Sequence, residues 1–157
     1  MAMQKISRPS MFSMSRPSIM ALSMGGDTET CAVCMQTAAY VQDLLNSVTS
    51  IHKIHLKVTG LGSFAAHSAL NTFYDEIGDH ADSIAEQFQG AEEKLLEMPN
   101  TAPAELNSVE ETIDYLRKLK DKAAVLQSIM PHSEIVNQLD EVKSLIDSTK
   151  YKLLFLK

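Results

Sequence analysis

The chain has 157 residues, enough for one domain with its own core, and 45% of them are hydrophobic, an ordinary share for a globular protein. No apolar run approaches the roughly 18 residues that a membrane-spanning helix needs, so no membrane partner is expected. The net charge is −6, yet residues 1–26 carry Lys5, Arg8 and Arg16 and no acid, which leaves −9 on the rest.

Residues 1–26 read as a disordered basic arm and residues 27–157 as the folded domain. The arm holds six of the nine methionines and a short repeat, "SRPSMFSM" from Ser7 and "SRPSIMALSM" from Ser15. It has no helical or strand periodicity, and Gly25-Gly26 closes it as a joint. Three readings stay open: an arm that anchors or binds nucleic acid through Lys5, Arg8 and Arg16, a targeting peptide, or a terminus with no task. The two cysteines, Cys31 and Cys34, are too few and too close for a disulfide framework. They point to a reducing, cytoplasmic compartment. Their C-x-x-C spacing matches redox and zinc motifs but lacks a second pair, so small buried residues at a helix start are expected.

Four helices follow. The first is expected from about Thr28 to Val58, capped by Asp27 or Thr28, with Glu29 at its positive end. Gly60 and Gly62 break it, because a tight turn needs left-handed backbone. A second, long helix runs from about Ser63 to Glu97, before Pro99. The polar link "NTAPAEL" has room for one helical turn. Ser108-Val109-Glu110-Glu111 is a capping box that opens a third helix, with Val109, Ile113, Leu116, Leu119, Ala123 and Leu126 as its apolar stripe. After Pro131 a fourth helix starts near Ser133 and places Ile135, Leu139, Val142, Ile146 and Leu153 on one face. Amphipathic helices with short links and no convincing strand predict an all-α, antiparallel four-helix bundle.

Four of the five histidines lie between residues 50 and 88, together with three aspartates and two glutamates. Histidine and carboxylate together form a ligand set for iron, zinc or manganese. His55 and His67 are nearly equidistant from the glycine turn, so an antiparallel hairpin brings them face to face. His52 lies one turn behind His55. Asp75, Asp79, Asp82 and Glu86 keep to a stripe roughly 60° wide on the second helix. The histidines and the Asp82–Glu86 pair cannot share an ion within one chain, because 15 residues of helix separate His67 from Asp82 by about 22 Å. A second chain, antiparallel across a two-fold axis, can supply the carboxylates. The plainer alternative is a solvated acidic face beside two hairpin histidines that bind nothing. His80 reads as surface or accessory, and His132 as structural. Asp75 and Asp79 read as solvated. The chain has no glycine-rich phosphate loop and no serine or cysteine nucleophile beside a general base.

"IHKIHLKVTG" resembles the histidine-bearing end of the first helix in the Dps family of mini-ferritins, whose usual pattern is like H-W-N-V-x-G. "SFAAH" is similar to that family's F-x-x-H, and "YDEIGDHADSIAE" to its Y-D-E…D-E-I-A-E segment, with matching spacing between the pieces. The resemblance covers about residues 30–157 and implies a ferritin-like bundle assembled from two-fold dimers into a hollow dodecamer. It further implies oxidation of ferrous iron, preferentially with hydrogen peroxide, and storage of the ferric product. Carried over by position, His55 and His67 come from one subunit and Asp82 and Glu86 from its mate. Asn71, His52, Asp75 and Asp79 are possible accessory residues.

Two positions depart from the family pattern. Asn71 stands where an acid is usual, and Leu56 where a tryptophan commonly flanks the site. Asparagine offers only a neutral oxygen to an ion that gains charge on oxidation. The competing expectation is therefore a ferritin-like binding or structural protein that keeps the assembly with weak or no ferroxidase chemistry. Dps relatives often bind DNA through basic termini, so the arm implies at most weak, salt-sensitive DNA binding.

Overall fold

The computed structural model describes residues 31–156; the basic arm with Lys5, Arg8 and Arg16, and Asp27, Thr28 and Glu29, lie outside the described residues. The domain consists of α1 (Ala32–His55), α2 (Ser63–Glu92), α3 (Val109–Ile129) and α4 (Ser133–Phe155). There is no strand among the described residues. This is the expected all-α four-helix bundle.

Each helix buries one apolar stripe. On α2 the buried positions are Ala66, Ala69, Leu70, Phe73, Ile77, Ala81, Ile84 and Phe88, spaced by one, three or four residues as one face of a 3.6-residue helix requires. Phe73, Ile77 and Ile84 are completely buried and meet Leu44, Ile51, Leu116 and Ile146 in one core. Burying a side chain of this size contributes about 1.5–3 kcal/mol. The predicted stripes of α3 and α4 face the same core, with Val109 only partly buried.

The helix ends differ from the sequence expectation in ways that local hydrogen bonds explain. Cys31 (φ −55°, ψ 112°) caps α1, and its Sγ accepts the Cys34 N–H at 3.3 Å. α1 stops at His55 instead of Val58 because the Lys57 N–H tightens onto Ile54 O at 2.8 Å, unwinding the chain ahead of the turn. Gly60 (φ 87°) and Gly62 (φ 74°) both take left-handed backbone there. α2 ends at Glu92, five residues short of Glu97. Glu93 turns left-handed at φ 50°, the Lys94 N–H bonds to Gln89 O, and Gln89 Oε1 accepts the Leu96 N–H. Both the backbone oxygen and the side chain of Gln89 are thus used to stop the helix. The capping box forms in a shifted version: Ser108 Oγ accepts the Glu111 N–H at 3.1 Å, while Glu111 Oε2 reaches the Asn107 N–H at 2.8 Å.

The second link is where the expectation of short connections fails. Residues 93–108 contain no helical turn and traverse the bundle lengthwise. Asn46 Nδ2 bonds to Thr101 Oγ1 at 2.8 Å, and one helical stretch further on Lys53 Nζ meets Glu105 Oε1 at 2.9 Å. A groove of about 490 Å³ lies at the glycine-turn end and is lined jointly by Ile54, Gly62, Ser63, Ser108, Ile113 and Leu153. So α2 and α3 start at the same end and run parallel. At the far end His132, which precedes α4, pairs with Glu92 at 2.6 Å. α1 packs on α2 and α3, and α4 on the same two. Two antiparallel hairpins joined by one long crossover are the ferritin-like arrangement.

The left-handed positions give a paired stability prediction. Gly60→Ala should lower stability by about 1 kcal/mol through backbone strain alone, since a Cβ there meets nothing within 4 Å. Glu93→Gly should raise it by about 0.5 kcal/mol, the relief of its left-handed strain exceeding the added chain entropy. Urea unfolding measures both, and equal signs for the two variants would contradict the assignment.

Candidate metal-binding site

His55 is the last residue of α1 and is buried, whereas His67, one turn into α2, is exposed. The glycine turn brings them level: His55 Nε2 and His67 Nε2 lie 3.0 Å apart, with ring centroids at 3.7 Å. His67 Nδ1–H donates to the His55 carbonyl oxygen at 3.3 Å. That bond sets the tautomer, leaving the His67 Nε2 lone pair aimed at its neighbour. Metal-bound imidazoles are commonly oriented by this kind of contact to a backbone carbonyl.

The separation suits two roles. As a free pair, the rings share one proton in an N–H···N bond. As ligands, two imidazole nitrogens about 2.1 Å from a first-row divalent ion and about 90° apart at it would lie roughly 3.0 Å from each other. His55 Nδ1 is buried and finds no hydrogen-bond partner among the described residues. As a bare acceptor it costs about 1–3 kcal/mol.

Four further side chains frame the pair. Tyr74 stacks on His52 with centroids 4.3 Å apart and sets its ring edge-on to His55 at 5.2 Å. The Tyr74 hydroxyl donates to Asn71 Oδ1 at 2.8 Å, and Asn71 Nδ2 donates to Asp75 Oδ2 at 2.5 Å. Asn71 is therefore engaged along its own helix, with its amide oxygen already accepting a bond. Tyr74 was not among the expected site residues; its position seven residues, two turns, beyond His67 is the signal that could have found it. His52 is exposed and does not make a third ligand with the pair.

Apart from Asp75, which takes the Asn71 bond, the acidic residues behave as separate surface groups. Asp75, Asp79, Asp82 and Glu86 are all exposed on α2, and His80 is half-buried beside them. Because α2 is continuous from Ser63 to Glu92, His67 and Asp82 stay about 22 Å apart. Among the described residues no three histidines, cysteines or carboxylates gather as a metal-holding group. His132 is accounted for by Glu92 and by an edge contact with Phe88. Cys31 and Cys34 are half-buried thiols, which corrects the expectation that they are packed inside.

Burial lowers the His55 pKa from its ordinary 6.5, His67 and His52 lower it further, and Asp75 partly opposes them. The folded chain thus resists a proton that the unfolded chain accepts, and stability should fall as pH drops below about 6.5 towards the lowered value. Asp140 and Asp147, whose carboxyls Lys143 and Lys120 hold below the usual range, contribute stability that is lost only at more acid pH. In metal-free protein, His55→Gln should flatten the decline that begins below pH about 6.5 and leave the loss at more acid pH. Urea titrations across this range check it; an unchanged slope in the variant would contradict the assignment.

A family model described as a family of unknown function (DUF5856) matches residues 55–153. No curated protein matches the chain, and neither does any solved structure.

Proposed function

The chain belongs to the DUF5856 family, and we propose that this member is a Dps-like protein that binds ferrous iron between two-fold-related subunits. On this reading it oxidises the ion with hydrogen peroxide and stores the ferric product in a hollow shell of subunits. The observation that carries the proposal is the His55–His67 pair, two nitrogens 3.0 Å apart at the bundle's edge, with no carboxylate among the described residues gathered there to complete a site. The exposed Asp82 and Glu86 of a mate are the complement, since an antiparallel neighbour brings the middle of its α2 towards the start of this one. The single-crossover bundle is in keeping with a ferritin-like protein.

The chemistry assigned to the residues follows from their types. Neutral imidazoles suit a ferrous ion, and anionic oxygens become the better ligands as its charge rises. The half-buried edge of the site limits hydration on the His55 side. Tyr74, from α2, packs its ring against His52 and His55 in the last turn of α1.

A second reading has its own support: a ferritin-like binding or structural protein with weak or no oxidation chemistry. Asn71 replaces an acid, and its oxygen is already taken by Tyr74. Under that reading the assembly persists and iron turnover does not exceed the rate in buffer. DNA or partner docking through the arm fits either reading.

One variant separates the two. Asn71→Asp is nearly isosteric and adds a negative charge one turn beyond His67, so it should tighten ferrous binding and speed peroxide-dependent oxidation by about tenfold. Asp82→Ala with Glu86→Ala should abolish both. Ferrous-oxidation kinetics, with light scattering for assembly state, give the readout. A monomer at micromolar concentration with and without iron, or wild-type turnover in the double variant, would overturn the shared site. Turnover that appears only in Asn71→Asp would favour the second reading.

A further inference from the structure

The cysteine pair lies at the opposite end of the bundle from the histidines and has no part in the reading above. Cys31 is the N-cap of α1, and its sulfur accepts the backbone N–H of Cys34, the third residue into the helix, at 3.3 Å. A donated N–H and the positive end of the helix both favour a thiolate over a thiol. Across one helical turn the Cα atoms of residues three apart are about 5 Å from each other, inside the range of roughly 4.4–6.8 Å that a disulfide bridges. Both thiols are half-buried, so one face of each meets solvent. No third ligand accompanies them among the described residues, which leaves metal binding within the chain unsupported.

We propose that Cys31 and Cys34 form a thiol–disulfide exchange site, with Cys31 as the attacking sulfur and Cys34 as the resolving one. The substrate class is a small, solvent-borne disulfide. Cys31 Sγ, as the thiolate, attacks one sulfur of that disulfide, whose S–S bond breaks and releases one thiolate that takes a proton from water. Cys34 gives its proton to solvent and attacks Cys31 Sγ, forming the intrachain bond and expelling the second thiolate. Two electrons pass from the chain to the small disulfide, which leaves as two thiols.

The asymmetry of roles has a physical source. The contacts with Cys34, through its thiol and its backbone N–H, hold the Cys31 thiol below its ordinary value. Burial, with Cys31 alongside, pushes the Cys34 thiol up, against a smaller opposing pull from Lys94. Glu92, at the end of α2, disfavours both thiolates.

The chain has only two cysteines, so alkylation and intact mass read the outcome directly. Full-length protein equilibrated with oxidised and reduced glutathione should give a monomeric species that is oxidised within the chain. Cys34→Ser should accumulate one glutathione adduct on Cys31. Cys31→Ser keeps the cap through serine oxygen and should react with oxidised glutathione about tenfold more slowly or less. Disulfides found only between chains would overturn the proposal. So would a Cys31→Ser chain that reacts as fast as Cys34→Ser.

Discussion

A continuous helix keeps its own residues apart, and that constraint governs the rest of the molecule. α2 runs without a break from Ser63 to Glu92. His67 near its start and Asp82 beyond its middle are held about 22 Å from each other by 1.5 Å of rise per residue. No side-chain rotation closes such a gap. The two halves of a histidine–carboxylate site on this helix are useful together only if another copy supplies one of them. The same rigidity makes the histidine end precise, because α2 presents His67 from a fixed first turn while the glycine turn returns α1 with His55.

The crossover serves this geometry. With residues 93–108 laid along α1, the amino ends of α2 and α3 lie at the same end of the bundle, and α4 returns to it. The turn end therefore carries Leu61 from the turn, Phe64 from the first turn of α2 and Phe155 from the end of α4, all strongly exposed. At the far end, Glu92 and His132 tie the end of α2 to the start of α4, and the cysteines open α1. The His55–His67 pair and the Cys31–Cys34 pair thus lie at opposite ends of the bundle.

Much of this was legible in the sequence, for physical reasons that differ by feature. Helix existence followed from the spacing of residues such as Phe73, Ile77 and Ile84, since core-facing positions repeat every 3.6 residues whatever the context. The facing of His55 and His67 followed from their near-equal distance to Gly60–Gly62. The crossover was not legible, because nothing in "NTAPAEL" states which end of the bundle it must reach. The early end of α2 was hidden as well: a glutamate at left-handed φ is rare, and the amide of Gln89 that stabilises it acts over seven residues. Cys31 escaped as a cap because serine, threonine, aspartate and asparagine dominate that position. The engagement of Asn71 by Tyr74 depends on side-chain rotamers that spacing alone does not fix.

The most direct measurement of the proposed shared site is complementation between two chains, each altered in one half of it. One carries His55→Ala and His67→Ala, the other Asp82→Ala and Glu86→Ala. In a two-fold dimer of one of each, one site combines both sets of defects and the other combines none. Random pairing of an equimolar mixture should therefore restore about a quarter of the wild-type ferrous-binding sites, although neither chain binds at that site alone. A mixture that binds no more iron than its separate components would contradict the account.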